Sequence, residues 1–300
     1  MYIMKLIPSV KSYLWGGTRL IRDYGKTGAE MISETWECSV HPDGLSIVAN
    51  GKFSGKTLAE VLKVHPEYTG TENTGTFPVL VKLIDAEKDL SVQVHPDDLY
   101  AGIHENQKGK SEMWYVLDAD ENSEIIYGFE EKISPETARH SAYDGTITGL
   151  LHREKVCRGD VFCIPAGTVH ALGKGIVVAE IQENSNVTYR LDDYGRTDEN
   201  GRLRELHIEK ALDVMNLSPV GKFGTDLNLP FTTEIVNNHE KYVFHINEKS
   251  FAILLFTDGT GNVRNLYNSV DVKKGDCIFI PADSGITEIS GNTDFLKIST

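Results

Sequence analysis

Residues 155–170 read KVCRGDVFCIPAGTVH and residues 271–286 read DVKKGDCIFIPADSGI, so a Gly-Asp pair, an alternating apolar run and a Pro-Ala pair recur at the same offsets in two distant parts of the chain. Gly159 falls opposite Gly275, and Pro165 opposite Pro281. Glycine at the Gly-Asp turn permits a left-handed backbone, the alternation puts every second residue on one face of a strand, and proline ends ladder pairing where the strand leaves its sheet. Two copies of such a unit predict two similar β-barrels in one chain. The copies then diverge: the first continues Gly167, Thr168, Val169, His170, whereas the second continues Asp283, Ser284, Gly285, Ile286. A histidine in one copy and an isoleucine in the other place the chemistry in the first.

The remaining sequence predicts a mainly β architecture, tandem barrels with a few connecting helices. Runs rich in β-branched residues and bounded by turn formers predict strands within 35–49, 77–95, 112–117, 124–129, 156–164 and 176–182. Helical patterns are few: 57–64 with Thr57 as its cap, 134–140 opening on Ser134-Pro135, and 205–215. The turn-rich stretch NLSPVGKFGTDLNLP at 216–230 predicts a boundary, with a metal-binding barrel, its N-terminal strands and short helices in 1–218 and a degenerate barrel in 219–300.

Composition narrows the partners. The 300 residues are 40% hydrophobic and 25% charged, which suits a globular protein with a proper core. Thirty Lys and Arg against 44 Asp and Glu give a net charge of −14, which argues against nucleic acid and anionic membrane surfaces and requires a local basic pocket for any anionic ligand. No leader pattern or long apolar run is present, and Cys38, Cys157, Cys163 and Cys277 read as buried thiols, so a cytoplasmic protein, monomeric or weakly dimeric, is expected.

The spacing from Gly159 through Pro165 and Gly167 to His170 resembles the second conserved motif of the cupin superfamily, whose small antiparallel barrels hold a metal on inward-facing His and carboxylate side chains. Candidate partners follow from strand parity. Gln93 and His95, in LSVQVHPDD, share one strand face. A hydrogen-bonded polar pair is one reading of them, and shared ligation of a divalent cation is the other. Glu112 opens the apolar strand EMWYVLDA, where a carboxylate is hard to bury without a cation, and Lys110 stands two residues before it. With His170 these make a nitrogen and oxygen ligand set, Gln93, His95, Glu112 and His170, suited to one zinc or another first-row divalent ion. The other histidines, His41, His65, His104, His140, His152, His207, His239 and His245, have no partner at a ligand spacing. Glu180, Arg190 and Arg196 lie in VVAEIQENSNVTYRLDDYGR, either a solvated salt-bridge face or an acid/base with anion-binding arginines.

Across residues 8–200, the motifs YLWGGTRL, ETWECSVHPDGLS, FPVLVKLIDAEKDLSVQVHPDD, GKSEMWYVLDA, IPAGTVHAL and NSNVTYRLDDYGR resemble, in order, the type I mannose-6-phosphate isomerase family in its short bacterial form. The family often has Pro where this chain has Ser111. The resemblance implies one zinc per chain on Gln93, His95, Glu112 and His170. It also implies an active-site arginine at Arg190, an acid/base carboxylate at Glu180, a pocket lysine at Lys110, and phosphate-associated positions at Ser91, Lys82 and Arg196. The implied reaction interconverts mannose 6-phosphate and fructose 6-phosphate through an enediol. Competing readings are an iron-dependent cupin dioxygenase, a cupin phosphoglucose isomerase and a non-catalytic sugar-phosphate-binding cupin. A fourth protein ligand at Gln93 and the order of the motifs count against the first two, and an intact metal site would separate the isomerase from the third.

Overall fold

The computed structural model describes residues 1–73, 75, 77–197, 200–220 and 229–300, and the chain forms two compact units. One comprises Met1–Tyr13, Thr18–Leu83 and Leu229–Thr300, the other Leu14–Gly17 and Ile84–Asn228. The expected linear division into 1–218 and 219–300 is therefore not how the contacts fall, and much of the expected boundary, 221–228, lies outside the described residues. The physical reason is the first strand. Met4–Ile7 carries buried Met4 and Leu6, and it pairs antiparallel with Cys277–Ile280 on one side and Ile47–Val48 on the other, so the N-terminus joins the C-terminal strands.

Each unit carries one copy of the repeat. Gly159 and Gly275 both adopt the left-handed backbone, φ 96° and 88°, and each is followed by a four-residue strand, Val161–Ile164 and Cys277–Ile280, that ends before its proline. A side chain at Gly275 would come within 2.4 Å of the Tyr24 carbonyl oxygen, which leaves glycine as the residue that fits. The two copies differ where the sequence diverges: His170 is fully buried, whereas Ile286 is 67% exposed. The pairings among the described residues make open sheets, not a closed ring of hydrogen bonds.

In the second unit, Tyr189–Asp192, Val92–Val94, His170–Leu172, Glu124–Phe129 and Leu151–Lys155 form one antiparallel sheet in that order. Alternation sorts its faces. Val92, Val94, Ala171, Tyr189 and Leu191 pack against Ala138 of the helix Pro135–Asp144 and Ala211 of the helix Ile208–Val214. Their neighbours Gln93, His170 and Arg190 must then face the other way, where a second cluster joins Tyr127 and Leu172 to Trp114, Phe162 and Val178 from Val161–Ile164, Glu112–Ala119 and Ile176–Glu183. Each of these large apolar side chains contributes roughly 1.5–3 kcal/mol by its burial, so the parity of the sheet is strongly specified.

Several elements depart from expectation. The 35–49 run divides into Glu34–Cys38 and Ile47–Val48, and 77–95 into Val79–Ala86 and Val92–Val94. The helix expected at 205 begins at Ile208, because the His207 backbone N–H donates to the Arg190 carbonyl at 2.7 Å and its Nδ1 accepts from the Arg190 N–H at 3.0 Å. Asp97 caps an unexpected helix, Asp98–His104, whereas the Thr57 capping box forms as expected. Cys38 and Cys277 are buried but Cys157 is exposed at the turn preceding Gly159, which corrects the all-buried reading of the thiols. Among the described residues no helix is long and apolar enough to cross a membrane.

Candidate metal centre

Sheet register assembles the site. Gln93 lies opposite His170 on one neighbouring strand and opposite Arg190 on the other, and directly opposed residues of an antiparallel pair share a face. A row Arg190, Gln93, His170 results. His95 lies just beyond the end of Val92–Val94 and its carbonyl accepts from the Gly167 N–H at 2.8 Å, which ties it to the loop of the repeat motif. Glu112 comes from the other sheet, opposite Ile164 and Gln182.

His95, Glu112 and His170 each present a ligand atom within 4.8 Å of one another. All three are at most 1% exposed. The imidazoles are oriented by their far nitrogens: His95 Nδ1 lies 2.9 Å from the Val187 carbonyl and His170 Nδ1 2.8 Å from that of Thr168. A carbonyl only accepts, so each Nδ1 carries the proton and each Nε2 turns a lone pair to the centre. Glu112 places Oε2 3.6 Å from His95 Nε2 and Oε1 3.3 Å from His170 Nε2. Burial, followed by the repulsion of the Lys110 ammonium, lowers the His170 pKa to about 4, against an upward pull from its bond to Thr168. At neutral pH it is an uncharged donor.

The Gln93 amide approaches His170 Nε2 at 3.3 Å, and a half turn of that amide brings its oxygen to the same point. Lys110 shows that these donors accept a cation: its Nζ lies 2.9 Å from Glu112 Oε2 and 3.1 Å from His95 Nε2. Two neutral imidazoles, a carboxylate and an amide fit a divalent first-row metal. Beside them, Glu180 is 3% exposed, accepts from Trp114 Nε1 at 3.0 Å and faces Lys110 Nζ at 3.8 Å.

The second unit thus brings together Gln93, His95, Lys110, Glu112, His170 and Glu180, with Arg190 in the same row. A register shift between Arg190 and Asp192 turns the strand there, and Arg190 Nη1 donates to the Glu205 carbonyl at 2.7 Å. Arg196 pairs with Asp193 and donates to the Asp89 carbonyl at 2.5 Å. Ser91 is buried two residues before Gln93. Lys82 belongs to the other unit, where its ammonium faces Glu34 at 3.9 Å and the Trp36 ring at 5.1 Å. Sequence reasoning missed Arg204 and His207, which meet the arginines through an irregular segment without periodicity.

Fold and site together define a mainly β protein of the cupin class with a buried nitrogen and oxygen cation site. The phosphomannose isomerase type I catalytic domain matches residues 3–128, and the mannose-6-phosphate isomerase cupin domain matches 230–299. The chain is 38% identical to a probable mannose-6-phosphate isomerase of Bacillus subtilis over 97% of each chain. It is 46% identical to the mannose-6-phosphate isomerase of Streptococcus mutans over 68% of this chain and 65% of that one. The crystal structure of the mannose 6-phosphate isomerase from Bacillus subtilis shares the fold over 100% of both chains, with TM-score 0.90 and 35% identity. A putative mannosephosphate isomerase from Archaeoglobus fulgidus gives 0.80 at 25% identity, over 99% of this chain and 96% of that one. The chain belongs to the type I phosphomannose isomerase family.

Proposed function

We propose that this chain is a zinc-dependent aldose-ketose isomerase that interconverts D-mannose 6-phosphate and D-fructose 6-phosphate through an enediol, working in the cytoplasm, where free thiols such as exposed Cys157 persist. The observation that carries the reading is the convergence of two Nε2 lone pairs on a buried carboxylate beside a second buried carboxylate. Gln93, His95, Glu112 and His170 hold the zinc. The ion supplies Lewis acidity for the negative charge that develops on the sugar oxygens, without a change of oxidation state.

The chain's own residues do the rest. Glu180 is the group we assign to moving the proton between C2 and C1: its Oε2 is fixed by the Trp114 indole, and Oε1 faces Lys110, whose ammonium can stabilise the adjacent oxygen as the proton moves. Arg190 orients the substrate, and Arg196 and Ser91 serve its phosphate, which answers how a chain of net charge −14 takes an anion. The relatives named above favour this reading over a dioxygenase or a phosphoglucose isomerase.

The test is solvent deuterium incorporation at C1 and C2 during turnover. Glu180→Gln should keep its zinc and lose exchange by about 10²–10⁴-fold. Exchange at the parent rate would remove Glu180 from the proton path.

A further inference from the structure

Residues 203–207 run back along Tyr189–Asp192 and the turn after it, and they bring a third arginine to the two already described. Arg204 Nη1 reaches both oxygens of Asp193, at 3.0 and 3.2 Å, and Arg196 Nη2 pairs with the same Oδ1. The Asp193 side chain is 4% exposed, so one buried carboxylate brackets two guanidinium groups. Arg190 stands beside them: Nη1 donates to the carbonyl of Glu205, next in sequence to Arg204, and its buried Nε has no hydrogen-bond partner among the described residues. Burial, and after it the charge of Arg204, holds the Arg190 guanidinium below its ordinary range.

Three guanidinium groups gather here, with Asp193 and Glu205 the carboxylates felt at Arg190. Holding like charges together away from water is costly unless an anion completes the cluster. Arg204 is suited to meet one. Its side chain is 20% exposed, and among the described residues only Nη1 of its five-donor fork is committed. The cluster also lies in the right direction, because Arg190 is opposite Gln93 and Gln93 opposite His170. One strand spacing separates Arg190 from Gln93, and two, roughly 10 Å, separate it from His170. A sugar whose C1 and C2 lie at the metal centre directs its 6-phosphate over a comparable reach.

We propose that Arg204 is a phosphate-binding residue of this site, set by Asp193 beside Arg196 and Arg190 so that one phosphate dianion meets several guanidinium forks. The proposal rests on the isomerase reading, and it makes this cluster the selector for phosphorylated over unphosphorylated hexose.

The experiment measures kcat and KM for mannose 6-phosphate, and competitive inhibition by inorganic phosphate, on the zinc-loaded parent, Arg204→Gln and Arg204→Lys. Arg204→Gln should raise KM and the phosphate inhibition constant together by about tenfold, the loss expected for one charge-assisted hydrogen bond. Its kcat should move less than about twofold with zinc content unchanged, and Arg204→Lys should recover part of both losses. If KM and phosphate inhibition stay at parental values, or kcat alone falls, Arg204 merely ties down Asp193 and the proposal is overturned. If the parent shows no isomerase activity, the functional reading fails, and calorimetry with inorganic phosphate still decides the site. Weaker binding by Arg204→Gln supports it, and equal binding overturns it.

Discussion

Glu112 holds a fully buried carboxylate that faces two imidazole Nε2 lone pairs, with the Lys110 ammonium the cation beside it, an arrangement that a divalent ion bound between the three would complete. Glu112→Ala should therefore lose zinc and activity together, read by metal analysis and assay on one preparation. Arg190→Ala should keep its zinc and lose about 10²-fold in turnover; wild-type turnover would refute the role given to Arg190. His207 supports that arginine through its Nδ1, which must stay unprotonated to accept the Arg190 N–H. Burial, followed by the charge of Arg190, lowers the His207 pKa below 6.5. The unfolded state then binds the proton more readily, so this contribution to stability is full above pH 6.5 and is lost as pH falls through the folded value. Urea unfolding above and below that pH should show a smaller acid loss in His207→Asn than in the parent; identical losses would contradict it. Gln93, His95, Glu112 and His170 were legible in the sequence because strand parity and the repeat fix where they point. Arg204 and His207 were not, since a loop that meets its partners across irregular backbone leaves no period to read.

At the scale of elements, the loop Pro165–Thr168 positions the centre as much as the strands do. Gly167 adopts φ 86°, donates its N–H to the His95 carbonyl at 2.8 Å, and would put a Cβ 2.9 Å from the Val214 carbonyl oxygen. Gly167→Ala is expected to destabilise by about 1–3 kcal/mol in urea unfolding and to weaken zinc retention, whereas unchanged values would show that the loop yields freely. Gly102 is the contrast: it lies inside Asp98–His104 without a left-handed φ, and a methyl group added there would meet nothing within 4 Å, so Gly102→Ala should stabilise by about 0.5–1 kcal/mol. The repeat predicted both short strands and their proline exits correctly. Strand lengths were harder, because runs such as 77–95 stay apolar through a turn that tertiary contacts impose.

Across the whole molecule, the repeat announced two units, one copy in each, but linear reading misassigned the N-terminus. Met4–Ile7 pairs with Cys277–Ile280 across almost the full length of the chain, and a strand's partner is not encoded in its own alternation. The central claim is a sugar-phosphate isomerase whose chemistry depends on one zinc per chain. The measurement that tests it most directly is a coupled assay on mannose 6-phosphate with the protein as purified, after chelation, and after restoring zinc. Activity should fall at least about 10²-fold on chelation and return as one equivalent of zinc per chain is bound. Full turnover without metal, or none with the site occupied by zinc, would contradict the account.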